Sequence, residues 1–506
     1  MKKLLRLKPT RGLVYDTPAH EVGAEFFTAG RNVQFRGGFA QRVSGSRQVY
    51  GTMPVTAFEL LNSRMGSTNW WLVFGPDAIH AFETSNMHDI TPSSGLETVA
   101  EPWEWNATLL NGVPVFNNGR DAPMYWDGNP ANEAQALPDW PAGTIAKHVV
   151  AFKYHLVALD IDGPSGRFES QVLWSDAAEP GAVPASWTPA PDNEAGSTQL
   201  GDTPGPVMTA VPLRGSLLIY KRSSTYAMDY IPESNEIFSF RTLFSSLGAL
   251  TRHAVADLNG EHFVVTDGDI VITDGTNRRS VAEGRMKDYL FRNLDQDHYE
   301  NLFAIYHRSR NEVWVCYPET GHQFCNKALV YDVAADSFGE RDLDDVACAA
   351  VGIVNDTAVS DVWDDDDEPW DFDNSTWNET NYSFATESLV TGGASLIMQD
   401  TSDNAALPSM VARHDLTFDA PERVKFVRRA HILTGPNSGT LSVRLGARMT
   451  PTAPITWSAP VSLAEPSQIV NAFAQGRYIS VEISASNSST WKVTGIELEA
   501  EMRGYH

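Results

Sequence analysis

The chain carries 64 Asp and Glu residues and 13 His, so the first question is whether any stand at spacings that do chemistry. No Gly-x-Ser-x-Gly, His-Glu-x-x-His or Gly-x-x-x-x-Gly-Lys-Ser/Thr segment occurs. That removes the nucleophile-elbow, zinc-hydrolase and phosphate-loop patterns. Glycoside hydrolysis needs two carboxyl groups across the scissile bond, and no spacing singles out such a pair. Ser175, Asp176, Gly181 and Trp187 carry the letters of a sialidase-type turn at the wrong spacing. The 3 cysteines (Cys316, Cys325, Cys348) form no zinc-ligand spacing and are too few for a disulfide framework. No catalytic residue, cofactor or metal ligand is assigned.

Two kinds of charged cluster remain. Asp364, Asp365, Asp366, Asp367 and Glu368, followed by Asp371 and Asp373, offer hard oxygen ligands of the kind Ca²⁺ takes. They lack the alternating spacing and mid-loop Gly of a helix–loop–helix calcium site, so the run reads as a solvated channel or tip loop. Trp363, Trp370 and Trp377 punctuate it at seven-residue intervals, either as an exposed interaction patch or as anchors onto the body. Basic residues are scarce, which makes their clusters conspicuous. Arg31, Arg36, Arg42 and Arg47 lie in GRNVQFRGGFAQRVSGSR, and Arg423, Lys425, Arg428 and Arg429 lie in ERVKFVRR. Lys2, Lys3, Arg6, Lys8 and Arg11 make the start basic. The first two clusters read either as subunit or partner contacts or as internal salt bridges, and the third as partner contact or a frayed tail.

The elements that position these residues are β-strands. A short apolar strand, often begun by Ala, leads to a Gly/Asn/Arg turn and a second apolar strand. This unit recurs with starts at Ala57, Ala107, His148, Ala210, Ala254, Phe303 and Ala347, at intervals of 41 to 62 residues. Propeller blades repeat at about 40–50 residues. The longest interval fits a blade with an inserted loop over 176–206. The seventh unit is weaker and is completed by SLVTGGASLIMQ (388–399). Turns such as Leu258-Asn259-Gly260 and Asp267-Gly268 supply residues that tolerate positive φ. A four-stranded blade cannot bury both faces alone, so blades stack in a ring. The expected fold is therefore all-β: an irregular β-propeller of six or seven blades followed by a β-sandwich. Residues 1–54 are expected as an N-terminal arm and subunit-contact segment. Residues 55–402 are the propeller, with inserted loops at 176–206 and 361–382, and 403–506 the sandwich. One helix is expected near 281–300, from the spacing of Met286, Tyr289, Leu290 and Leu294.

Composition bounds the partners. The formal charge is -26, which repels nucleic acid over most of the surface. No apolar run reaches the ~18 residues of a membrane span, and the basic start has no secretory h-region. A soluble product of a cytoplasm, with no membrane insertion, is expected.

The ordered series of motifs resembles the tail-nozzle family of short-tailed bacteriophages, also described as packaged-DNA stabilisation or tail tubular proteins. GRNVQFRGGFAQRVSGSR (30–47) is similar to that family's Asn-Val-x-Phe-Arg-x-Gly segment and its following Gly-Ser-Arg turn. FNNGRDAPMYWDG (116–128), LLIYKRSSTYAM (217–228), GEHFVVTDGDIVITDG (260–275) and the closing QGRYISVEI…WKVTGIELEAEMRG (475–504) continue the series over nearly the whole chain. The resemblance implies a non-catalytic virion protein of the tail, made in the bacterial host cytoplasm. It implies a homo-hexameric ring beneath a tail adaptor ring, carrying fibres or a needle. Packaged double-stranded DNA would pass through without specific binding. Two other readings stay open: a receptor- or glycan-binding tail propeller, and a propeller glycoside hydrolase.

Overall fold

The computed structural model describes residues 2–84, 86–232, 237–354, 387–401, 407–435, 439–463, 468–485 and 490–505. The insertion 361–382, with Asp364–Glu368, Asp371, Asp373 and its tryptophans, lies outside the described residues.

Seven antiparallel four-stranded units make a propeller. Their innermost strands are Glu59–Met65, Asn106–Leu110, Ile145–Phe152, Val207–Leu213, Val255–Asp257, Phe303–His307 and Cys348–Gly352. Each lies against the next, and the seventh lies against the first, so the ring is closed. The turn chemistry is as the sequence demands. Asn259 and Gly260 sit at φ 60° and 126°, and Gly268 at 103°, which lets the fifth blade reverse in two tight hairpins. Blade faces are apolar on both sides because each packs against two neighbours. Trp71, Trp105, Trp126, Trp187 and Trp314 are all fully buried between them.

The seventh blade is completed from the other end of the chain. Its strands Cys348–Gly352, Ser388–Gly392 and Leu396–Thr401 are joined by Gly45–Val49, with Leu396 opposite Val49 and Met398 opposite Arg47. The expected boundary at residue 54 is corrected accordingly: 45–49 is propeller, not arm. The expected loop 176–206 is corrected too. Gly196–Gln199 inside it is the outer strand of the third blade, paired with Gly166–Trp174. The remainder folds back to bury Trp187, whose ring meets Trp140 edge-on at 4.7 Å.

Beyond the propeller two sheets face one another. One contains Arg423–Thr434 and Lys492–Tyr505; the other contains Ser409–Leu416, Leu441–Arg448 and Tyr478–Ala485. Val427, Ile432, Val443, Leu445, Val481, Ile483, Ile496 and Leu498 fill the space between them. This core runs without a break into that of the fifth and sixth blades through Phe263, Leu329 and Tyr331.

The N-terminal residues stitch the two modules together. Lys2–Leu7 pairs with the last strand, Lys2 opposite Glu501, so the basic start is a strand. Ala29–Arg31 joins the second sandwich sheet. Val33–Arg36 and Phe39–Arg42 lie between the outer strand of the sixth blade and Lys492–Tyr505. The result is one 11-stranded sheet spanning both modules. Helix α1 (Lys287–Asn293) forms where the spacing predicted, with Met286, Leu290 and Leu294 buried. Its first turn donates to the Asp16 carboxylate from the backbone N–H groups of Asp288 and Tyr289, both at 2.9 Å. No described helix is long and apolar enough to cross a membrane.

Candidate functional site: the propeller axis

Small residues on the inner strands, among them Ala107, Ala210, Ala304 and Ala349, leave space on the axis. The cavity there is about 320 Å³, roughly ten water volumes. It is no conduit for a nucleic acid duplex. Phe58, Val149, Val211 and Phe303 line part of it, and Glu59, His148, Thr209, His253, Glu300 and Asn301 reach it from five different segments.

Burial governs the charge of these groups. The Glu59 carboxyl is pushed up to about 8 by burial, against one opposing hydrogen bond from the Leu60 N–H at 2.9 Å. It holds a proton at neutral pH. Burial, then the neighbouring Arg252, pulls His253 down to about 4. His148 is drawn well below its ordinary value by burial, His253 and Arg252. Glu300 is raised by burial, with Arg252 and Arg222 opposing. The free carboxyl oxygen of Glu59 stands 3.8 Å from His253 Nδ1. Glu59, His148 and His253 are thus uncharged at neutral pH.

Arg252 is the cation at this mouth, and its charge is engaged. It donates to the Lys147 carbonyl at 2.8 Å, lies over the Trp103 ring at 5.1 Å and approaches Asp160 at 3.5 Å. Asp160 is buried and sits at φ 54° where the third blade shifts register. Arg167 grips it with two hydrogen bonds of 2.9 and 2.7 Å, a bidentate fork.

The residues singled out from sequence lie elsewhere. Arg31 pairs with Asp342 at 2.6 Å and Arg36 with Glu312 at 3.4 Å. Arg42 is buried, and burial together with Arg341 lowers its guanidinium from the ordinary value. Arg47 is on the closing strand of the seventh blade. Lys425 is fully buried and donates to the carbonyls of Ala420 and Arg477; burial lowers it to about 8. Arg423 is half-buried beside Glu422, while Arg428 and Arg429 are exposed on the outer face, Arg428 3.7 Å from Glu501. The sequence clusters therefore do not converge on one site.

His307, Glu312 and Asp400 place one ligand atom each within 4.8 Å of one another. Arg341 pairs with Asp400 at 2.9 Å, and Arg310 approaches Asp400 at 3.4 Å and Glu312 at 3.3 Å. The arginines already supply the positive charge a metal ion would bring, so the cluster is an ion network joining the sixth and seventh blades. The three cysteines are buried and free, and burial raises each thiol.

Sequence reasoning left the axis without chemistry and missed Glu59, His148, His253 and Glu300. A signal was present. Glu59, His148, Thr209 and His253 fall within two residues of the repeat starts, the positions that ring closure brings to the axis.

No protein-family model matches the chain, and no curated protein matches it in sequence. Solved structures resemble it in fold alone. The extracellular domain of a one-component system from B. thetaiotaomicron (BT4673) is 8% identical with a TM-score of 0.42, over 88% of this chain and 58% of that one. The present chain thus spans little more than half that domain's length. The β-propeller domain of Myceliophteria thermophila Cps50 (Swd1) is 10% identical with a TM-score of 0.38, over 61% of this chain and 92% of that one. An exo-β-1,3-galactanase from Phanerochaete chrysosporium is 9% identical with a TM-score of 0.28, over 90% of this chain and 100% of that one. The β-propeller fold stands on the chain's own sheet order and ring closure.

Proposed function

We propose that this chain is a structural virion protein, the distal tail nozzle of a short-tailed bacteriophage. In this reading its subunits close a hexameric ring that retains packaged DNA and releases it on ejection. The observation that carries the reading is the 11-stranded sheet shared by propeller and sandwich. A wall element loaded by a packed genome must not hinge between its modules, and a hydrogen-bonded sheet across the joint resists hinging where a linker would yield. The series of resembling motifs supports it. So does the -26 charge, because a conduit that lacks cationic contacts does not hold phosphates. DNA would run between subunits, past the outside of each propeller. The arm and the sandwich are the candidate faces toward neighbouring subunits and the adaptor ring.

Native mass measurement tests this reading. A six-subunit particle, or co-purification with an adaptor ring, is expected, and virions lacking the protein should lose packaged DNA. A monomer that releases sugar from host surface polysaccharide overturns it. The hydrolase alternative has one observation in its favour: Glu59 and Glu300 both line the axial cavity. Burial holds the Glu59 carboxyl protonated at neutral pH, which suits only the acid of such a pair.

A further inference from the structure

The arginines of 31–47 stay apart, but members of the other two basic clusters meet on the outer face of the 11-stranded sheet. Strand alternation decides which residues point there. On Lys2–Leu7 they are Lys2, Leu4 and Arg6, opposite Glu501, Glu499 and Glu497 of the last strand. Across that strand Phe426 lies opposite Glu501 and Arg429 opposite Glu499. Arg428, at a register shift, and Arg503 lean onto the same face, over the Phe426 ring at 5.1 and 4.3 Å. Phe473 stacks on Phe426, its ring centre 6.3 Å away and its plane 4° from parallel. Leu4 is 64% and Phe473 65% exposed, more than any other large apolar side chain among the described residues. Exposed apolar groups gathered with arginines and an aromatic stack mark a protein contact surface.

Charge selects the occupant. Lys2, Arg6, Arg428, Arg429 and Arg503 stand among three glutamates, a surplus of two positive charges on a chain of -26. The glutamates repel a phosphate backbone, so nucleic acid fits poorly. The same face of a second copy would bring its own surplus against this one. The chain offers a complementary face instead. Residues 65–146, most of the first two blades, hold ten carboxylate side chains and one cation, Arg120. Glu104 occupies that cation with two hydrogen bonds of 2.7 and 2.8 Å. Asp89 and Glu133 are exposed at the outer edges of these blades, which are tied together where the Ala134 N–H donates to the Ile90 carbonyl at 2.8 Å. In a ring of seven the second blade stands farthest from the fifth and sixth, into which the sandwich core runs. Two unlike faces on opposite sides of a subunit are what a head-to-tail ring requires. We propose that the outer face of the sandwich sheet docks on the first and second blades of a second copy. Its arginines meet Asp89 and Glu133, and Leu4 and Phe473 cover Met87, which is 46% exposed beside Asp89. This deepens the nozzle reading and rests on it for closure of the ring.

The test is native mass measurement and sedimentation of the full chain, with the melting temperature recorded for each variant. Arg428→Glu with Arg503→Glu, and separately Asp89→Lys with Glu133→Lys, are each expected to weaken association about tenfold or more at an unchanged melting temperature. Phe473→Ser is expected to weaken it as well, and added salt to weaken the wild-type contact. The chain carrying all four charge reversals is expected to regain assembly, a recovery that a misfolded chain does not show. A six-subunit particle that persists in every variant overturns this proposal and leaves the nozzle reading standing. A wild-type monomer overturns both. Loss of assembly in both charge-reversed pairs with no recovery in the fourfold chain overturns the pairing of these two faces.

Discussion

His253 Nδ1 and Glu59 Oε2 face each other at 3.8 Å across the propeller axis, the histidine just before the fifth blade and the glutamate on the first. Burial moves the two in opposite senses, to about 4 for the histidine and about 8 for the glutamate. Both are therefore neutral over the same range of pH, and each leaves a stability signature of its own.

For Glu59 the folded value is raised above the unfolded one, so the folded state binds more protons between about 4.5 and 8. Its contribution is fully present below that window and is lost as pH rises through it. Glu59→Gln removes the titration. Thermal melts across pH 4.5 to 8.5 should show a smaller fall in Tm for the variant than for the wild type, with the curves converging at the acid end. Parallel curves would show that Glu59 does not titrate in this way.

Removing His253 should act at the other end. Its folded value is depressed, so its contribution is present above about 6.5 and is lost as pH falls toward about 4. His253→Gln should raise Tm relative to wild type near pH 4.5 more than near pH 7.5. An equal change at both values would sink this account.

Asp400 and Arg341 form a buried pair at 2.9 Å, each only 4% exposed at the side chain. Deleting one partner strands the other's charge, a loss of about 3–5 kcal/mol. Urea unfolding of Asp400→Ala should show a loss of this size with an unchanged m-value. A change below 1 kcal/mol, the range of surface pairs, would mean that the charge finds solvent.

Trp71 joins the first blade to the seventh: it is fully buried, and its Nε1 donates to the Ile353 carbonyl at 2.8 Å. Asn69 donates to the same carbonyl at 2.8 Å. Trp71→Ala should therefore cost about 3–5 kcal/mol from the cavity it opens. Trp71→Phe should cost only about 1 kcal/mol, because Asn69 still satisfies the carbonyl. Chemical denaturation of the two variants side by side checks the ratio.

The blades were legible because their signals are local. Turn residues such as Asn259 and Gly260, and apolar strands opening near Ala107, Ala254 and Phe303, announce hairpins within a few residues of where they form. The spacing of Met286, Leu290 and Leu294 likewise marked α1. The N-terminal arm was not legible, because Lys2 pairs with Glu501 and Val49 with Leu396. A strand's pattern reports its two faces but not the identity of a distant partner. The axial site failed for the same reason. Glu59, His148 and His253 are ordinary polar residues until closure of the ring sets them side by side. The arginine segment read either as partner contact or as internal salt bridges, and its members part company: Arg31 and Arg42 lie eleven residues apart, yet one pairs with Asp342 at the surface and the other is buried.

The closing strand has a consequence for synthesis. Residues 45–49 emerge early from the ribosome, but their partner, 396–401, is made some three hundred and fifty residues later. Until then the ring stays open at both its first and last blades, and the first sandwich strand also waits for the last. Such distant pairing is intrinsically slow and leaves strand edges exposed to wrong partners. The ring therefore cannot close before residue 401 is made, and a chain that stops short of that strand leaves the propeller unsealed.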